Sequence, residues 1–314
     1  MVQKKSTPQL YDDYIQSANT LFHFMSKIDY LHSILAKRVI VPRYCMEDIE
    51  YLNLHRNGIK IKEVAILQKC FCDIPFHKLT ERYELNGTGE NFNLLTDEKK
   101  HEFRNNNTHP DFYGKFAIAF SKAWGEKNKL QPVHYLNPNS SYTTEFSNLF
   151  DRILNLDDVP DEYVDDILSR LSFFKPLRGI MKRKLETKDS SNKDIEFYKN
   201  FHDEKEWRYV PDIKQLEKSK LNKVIANPTI LNFYSDRTQI NKRLESEEYK
   251  SLWLNFDYDE IKYIIVPDSS SRIDMIKTIM DIPSDRFIEQ GDIKTQKHIL
   301  LSKILVLEEI RKDW

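Results

Sequence analysis

The sequence predicts an α+β protein with a mostly antiparallel central sheet and surrounding helices. Three observations lead there. Short extended runs such as Leu21-Phe22-His23-Phe24 and Ile261-Lys262-Tyr263-Ile264-Ile265-Val266 carry the aromatic and β-branched side chains that suit a pleated surface. Helices with an apolar stripe stand apart from those runs. The regular β-α alternation of a parallel sheet is absent.

Taken in order, residues up to about Ala18 are polar with scattered tyrosines and read as an entry arm with a helical turn around Tyr11 to Gln16. Leu21 to Phe24 is the first strand. Ser26 is the candidate N-cap of a helix in which Ile28, Leu31, Ile34 and Leu35 recur at helical spacing. Val39-Ile40-Val41 is the next strand, stopped by Pro42. Val64 to Ile74 is a second, longer extended segment that ends at Pro75, with Cys70 and Cys72 on one face and Phe71 and Asp73 on the other. From Glu84 to Phe112 the composition turns to Asn, Gly, Thr and charge, including Asn105-Asn106-Asn107, and predicts a long loop or an inserted flap.

Tyr113 to Ser121 reads as an apolar strand followed by Lys122-Ala123-Trp124-Gly125, and Val133 to Leu136 as another strand between Pro132 and Pro138. Helices follow over Thr144 to Leu154 and over Asp161 to Phe174, the second with Val164, Ile167, Leu168 and Leu171 as its buried stripe. Leu177 to Lys184 is basic. Its Lys182-Arg183-Lys184 run, with Lys175 and Arg178 nearby, fits a solvated face better than a phosphate site, because acidic residues flank it. Thr187 to Lys193 reads as a solvent loop before a helix leading into Phe201.

Phe201 to Pro211, F-H-D-E-K-E-W-R-Y-V-P, passes from a charged run into an alternating strand. Glu206 sits at its mouth, where a rigid sheet can hold a carboxylate toward a ligand, and Glu204 shares its face. A charged helical region, strands at Trp253 to Phe256 and Ile261 to Val266, a helix over Ser270 to Met280 and one long C-terminal helix over Ile293 to Lys312 complete the chain. The expected division is a core over residues 19–211, with 84–112 as its polar insert, and a C-terminal α/β extension over 212–314 packed on that core.

Composition excludes several function classes. Lys and Arg number 48 against 49 Asp and Glu, a net charge of -1, so no global basic field exists to drive nucleic-acid binding, and any such contact would be a local patch. The seven glycines form neither a G-x-G-x-x-G nor a P-loop pattern, which argues against a Rossmann domain and a P-loop NTPase. Cys45, Cys70 and Cys72 are an odd set that fits a reducing compartment. With His77 they do not make a zinc set, since C-x-C lacks the usual knuckle spacing, and no metal is expected. No apolar signal region opens the chain and no run reaches 18 apolar residues, so a cytoplasmic protein with no membrane contact is expected.

Five motifs in order carry a resemblance. They are Leu21-Phe22-His23-Phe24 with Leu31 to Leu35, Pro42-Arg43-Tyr44-Cys45, Phe71-Cys72-Asp73-Ile74-Pro75, Tyr113-Gly114 leading to Ser121-Lys122-Ala123-Trp124, and Glu206-Trp207-Arg208-Tyr209-Val210-Pro211. Over residues 19–211 the chain resembles the AbiGi family of bacterial abortive-infection proteins. The resemblance implies phage defence, and a two-gene pair in which this member is the antitoxin and restrains a toxin partner. The chain departs from the family between Pro75 and Tyr113, where it is longer and more polar, and at Ala119, where a second glycine is common.

A more distant likeness is to ADP-ribosyltransferases of the DarT type, through a histidine in the first strand, an aromatic residue in the middle and a glutamate on a late strand. It implies NAD as cofactor, with His23 hydrogen-bonding a ribose and Tyr113 or Tyr135 stacking on nicotinamide. Glu206 would hold a ribose hydroxyl and stabilise the oxocarbenium-like centre as nicotinamide leaves. Glu206 and His23 are thus the catalytic candidates, with Arg43 beside His23, Tyr113 and Tyr135 as cofactor-binding candidates. The plainer readings are a core histidine satisfied by a backbone carbonyl for His23, and a strand-end carboxylate paired with Arg208 or Lys205 for Glu206. Trp124 and Trp207 read as core anchors. Three roles stay open: an NAD-dependent effector, an antitoxin that works by binding, and a sensor of a phage component.

Overall fold

An apolar run with bulky residues on both faces folds as a strand buried on both faces, and Leu21–Met25, the first strand β1, has every residue buried. The computed structural model describes residues 18–105, 107–156, 160–227, 233–287 and 292–313. The turn expected around Tyr11 to Gln16 lies outside them. Helix α1, Ile28–Lys37, follows, and its Leu31, Ile34 and Leu35 are buried as their spacing requires. Its N-cap is Lys27, with no side-chain cap, and not the expected Ser26.

Strands β2 (Val39–Ile40), β3 (Arg43–Asp48), β4 (His55–Arg56) and β5 (Ile59–Lys60) lead to the ten-residue β6, Glu63–Cys72. The stretch expected as a loop or flap over 84–112 instead holds β7 (Gly87–Thr88), α2 (Glu90–Asn93), α3 (Asp97–Asn105) and α4 (His109–Tyr113). Its apolar residues are too sparse to make a stripe in sequence. They meet in space, where Leu85, Phe92, Leu95 and Phe103 cluster against Ile195 and Phe197.

Tyr113 therefore ends a helix, and the strand expected from it begins later, as β8, Phe116–Phe120. Gly114, at φ 112°, makes the join: a Cβ there would lie 2.1 Å from the Met25 carbonyl oxygen. Ser121 caps α5, Lys122–Lys127, and Trp124 of that helix stacks on Phe120 at 3.9 Å. Next come β9 (Gln131–Pro132), β10 (His134–Leu136), α6 (Ser141–Leu154), α7 (Asp161–Arg170) and β11 (Phe174–Pro176).

The basic segment and the helix expected between Leu177 and Phe201 are in fact the strands of a hairpin, β12 (Arg178–Glu186) and β13 (Asn192–Asn200), and the expected solvent loop is its turn, over 187–191. The hairpin is paired residue for residue from Arg178 opposite Asn200 to Glu186 opposite Asn192. The key strand is β14, Glu206–Tyr209. After it lie α8 (Ile213–Ser219), β15 (Val224–Ala226), α9 (Phe233–Arg243), β16 (Leu254–Asn255), β17 (Ile261–Val266) and α10 (Ser269–Asp281). The long C-terminal helix expected over 293–312 is broken into α11 (Ile293–Ser302), β18 (Ile304–Val306) and α12 (Leu307–Asp313).

The main sheet runs β18-β17-β8-β1-β6-β14-β9 and is antiparallel except where β18 lies parallel to β17. Two C-terminal strands, β17 and β18, thus continue the sheet that the N-terminal strands begin. One face packs Leu21, Met25, Phe71, Ile118 and Trp207 against α1, α10 and α11. The other packs Phe22, Phe24, Cys72 and Ala117 against Leu307 and Ile310 of α12.

Candidate functional site

The long strand β6 creates the site, because two strands share one of its edges without meeting. On that edge β3 pairs as far as Arg43 opposite Gln68, and β1 pairs at Phe22 opposite Cys72. Cys70, between them, has no strand partner there. The His23 ring fills the gap, its Nδ1 donating to the Cys70 carbonyl at 3.0 Å. This fixes the neutral tautomer with Nε2 as acceptor. Burial lowers the His23 pKa well below the usual histidine range, and Lys69 adds to the effect.

Where the sheet splits, a cleft of about 470 Å³ opens. His23, Phe24, Arg43, Lys69 and Tyr113 line it, together with Tyr30 and Lys37 of α1. Three of the predicted residues, His23, Arg43 and Tyr113, are thus brought to one cavity. Arg43 is also paired with Glu245.

Glu206 is elsewhere. Side chains alternate along β14, so Trp207 and Tyr209 join the core that contains Leu21 and Met25, while Glu206 and Arg208 point to the opposite face. His23 lies between Leu21 and Met25 on β1 and shares their face, so His23 and Glu206 are separated by the sheet. Glu206 is 3% exposed. Its carboxylate accepts from Arg208 Nε at 2.7 Å and from Lys175 Nζ at 2.7 Å. Burial alone would raise its pKa, but the Arg208 guanidinium and the Lys175 ammonium more than reverse that and hold it far below the usual carboxylate range.

The same network extends both ways. Arg208 also donates to Glu47 at 2.8 Å and to the Ser172 carbonyl at 2.8 Å. Lys175 bonds Glu204, which in turn accepts from Lys199 and from the Tyr113 hydroxyl. Three carboxylates and three cations are therefore interleaved, the condition under which buried charge is tolerated. Tyr135 belongs to this side of the sheet: its hydroxyl accepts the Glu206 backbone N–H at 2.8 Å, and its ring meets His202 edge-on. Tyr113 and Tyr135 thus support Glu204 and Glu206, and only Tyr113 also borders the cleft.

Residues that sequence reasoning missed are Lys69, Lys199 and Glu47, and Lys175, grouped in the sequence with a solvated basic face, is drawn instead into the Glu204 and Glu206 network. Lys69 had a signal, as the one charged residue in V-A-I-L-Q-K-C-F-C. The others are joined only by the fold. Asp73 pairs with buried Lys122 at 2.5 Å and does not line this cleft. All three cysteines are free, and burial pushes the Cys70 and Cys72 thiols well up. Among the described residues no group of His, Cys, Asp or Glu is placed to hold a metal ion, and no helix is long and apolar enough to cross a membrane.

Comparison with known proteins adds the family. The family model described as "Putative abortive phage resistance protein AbiGi, antitoxin" matches residues 99–267, beyond the Pro211 limit of the motifs noted in the sequence. An abortive phage resistance protein AbiGi of Lactococcus lactis subsp. cremoris is 35% identical over 286 residues, covering 87% of this chain and 99% of that protein. No solved structure gives a significant match. The motifs from β1 to β14 and an identity of this extent lead to one conclusion: this chain belongs to the AbiGi family of abortive phage resistance proteins.

Proposed function

We propose that the chain acts in phage defence as an antitoxin, by binding and restraining a toxin partner without turning over NAD. The observation that carries this reading is the condition of Glu206. A carboxylate that stabilises an oxocarbenium-like centre must face the reacting sugar. Glu206 is buried, has Lys175 and Arg208 on its oxygens, and stands across the sheet from His23. To serve a sugar it would have to leave two charge-assisted bonds and take one of the three carboxylates from a network that holds three cations. The description of the matching family model as an antitoxin supports the same reading.

The test is growth and cellular NAD in cells expressing the chain alone, the product of the adjacent gene alone as the candidate toxin, or both. The expected result is that the chain alone is harmless, that it relieves the growth arrest caused by its neighbour, and that the two proteins co-purify. Growth arrest with NAD consumption by the chain alone, abolished by Glu206→Gln in a folded variant, would replace this reading with the transferase one.

A further inference from the structure

The cleft at the split of the sheet has a charge imbalance that the antitoxin role does not use. Lys37, Arg43 and Lys69 line it against a single carboxylate, Glu245, which is already paired with Arg43. Among the described residues, the side chains of Lys37 and Lys69 have no ion pair or hydrogen bond. Lys69 is the informative one, because it projects from the middle of β6 and is largely withdrawn from solvent. Burial lowers its pKa, and the nearby Arg43 lowers it further. An ammonium in that position gains most from an anion brought to it.

The rest of the lining narrows the class of anion. His23 gives its Nδ1 hydrogen to Cys70, so its other ring nitrogen can accept a hydrogen bond, and a hydroxyl is the matching donor. Phe24, Ile34 and Tyr30 supply apolar and aromatic wall for a flat ring. The volume of about 470 Å³ lies within the range of small-molecule sites. We propose that this cleft binds a nucleoside phosphate, with Lys69, Lys37 and Arg43 meeting the phosphoryl oxygens and His23 accepting from a sugar hydroxyl. Arg43 can keep Glu245 and still serve, since a guanidinium carries five N–H donors. The inference concerns ligand binding and stands whether or not the chain restrains a toxin.

The experiment is calorimetric titration of the full chain with ADP, adenosine and inorganic pyrophosphate. ADP is expected to bind with an affinity that falls as salt rises, adenosine much more weakly, and pyrophosphate more weakly than ADP. Lys69→Met should weaken ADP about ten- to hundredfold, the worth of a hydrogen bond to a charged group. Lys37→Gln, at the exposed end of α1, should weaken it less while leaving thermal unfolding unchanged, and so keeps the test valid if Lys69→Met folds poorly. The proposal is overturned if ADP fails to bind at millimolar concentration, if adenosine binds as well as ADP, or if neither lysine substitution changes the affinity. Equal binding of pyrophosphate and ADP would overturn the nucleoside part.

Discussion

Lys175 reaches the Glu206 carboxylate at 2.7 Å and, with the same ammonium, the Glu204 carboxylate at 2.8 Å. One cation therefore joins a strand residue to the 3-10 turn that precedes the strand, and fixes the geometry of the whole Phe201–Tyr209 stretch. Glu204 and Glu206 alternate with Lys205, whose left-handed backbone at φ 43° turns the chain between them.

Removing that cation should be costly. Lys175→Met would leave two buried carboxylates with one counter-charge fewer, and breaking a buried pair from one side costs about 3–5 kcal/mol. Urea unfolding of wild type and variant would measure it. Glu206→Gln, which keeps an acceptor for Arg208, should cost less. A loss from Lys175→Met no larger than that of an exposed lysine would mean the network does not hold the strand.

Stability should fall on the acid side in two stages. His23 and His109 are both held well below the usual histidine range, first by burial and then by nearby lysines, Lys69 for the one and Lys199 for the other. A group whose folded pKa is depressed contributes stability that is full above its unfolded value and lost as pH falls. The first loss should therefore begin near pH 6.5, as the unfolded chain binds protons that the folded histidines refuse, with the unfolded value about 6.5. Glu206, also depressed, adds a second loss below about 4.3, the usual glutamate value. Unfolding midpoints at pH 7.5, 5.5 and 4 would show both stages. His109→Phe, which removes a buried ring nitrogen without a partner from between Phe24 and Tyr113, should flatten the first stage.

Tyr135 is predicted to be a support for Glu206 and not a stacking platform. Tyr135→Phe leaves the Glu206 N–H without its acceptor, a loss of about 1–3 kcal/mol for a buried donor. Unfolding should shift by that amount while ADP titration is unchanged, because Tyr135 does not line the cleft.

How much of this was legible depends on whether the signal was local. The strands at Leu21 and Ile261 and the stripe of α1 were readable because their own side chains set the period. The β12–β13 hairpin was not, since the charges of Lys182-Arg183-Lys184 and Asp194 to Lys199 mask the period-2 set Met181, Leu185, Ile195 and Phe197 that it buries against the insert. The C-terminal break also depended on context: Ile304-Leu305-Val306 suits a helix stripe as well as a strand, and only pairing with β17 decides. In the site, His23, Arg43 and Tyr113 line one cleft, whereas Glu206 lies across the sheet from His23, because strand register decides which face a residue takes.

The same register argument yields a test of His23 that separates support from ligand contact. His23→Ala removes the donor that satisfies the Cys70 carbonyl at the split, and should cost about 1–3 kcal/mol for an unsatisfied buried group. His23→Asn places an amide N–H where the ring has Nδ1 and should recover part of that stability. Its Oδ1 is an acceptor, but it stands where the ring has Cδ2 and stops short of the Nε2 position, so ADP affinity should stay low. Stability that recovers while affinity does not assigns His23 both tasks, closing the sheet and accepting a ligand hydroxyl. If affinity and stability recover in step, the ring only holds the split open at the right width, and Lys69 carries the recognition.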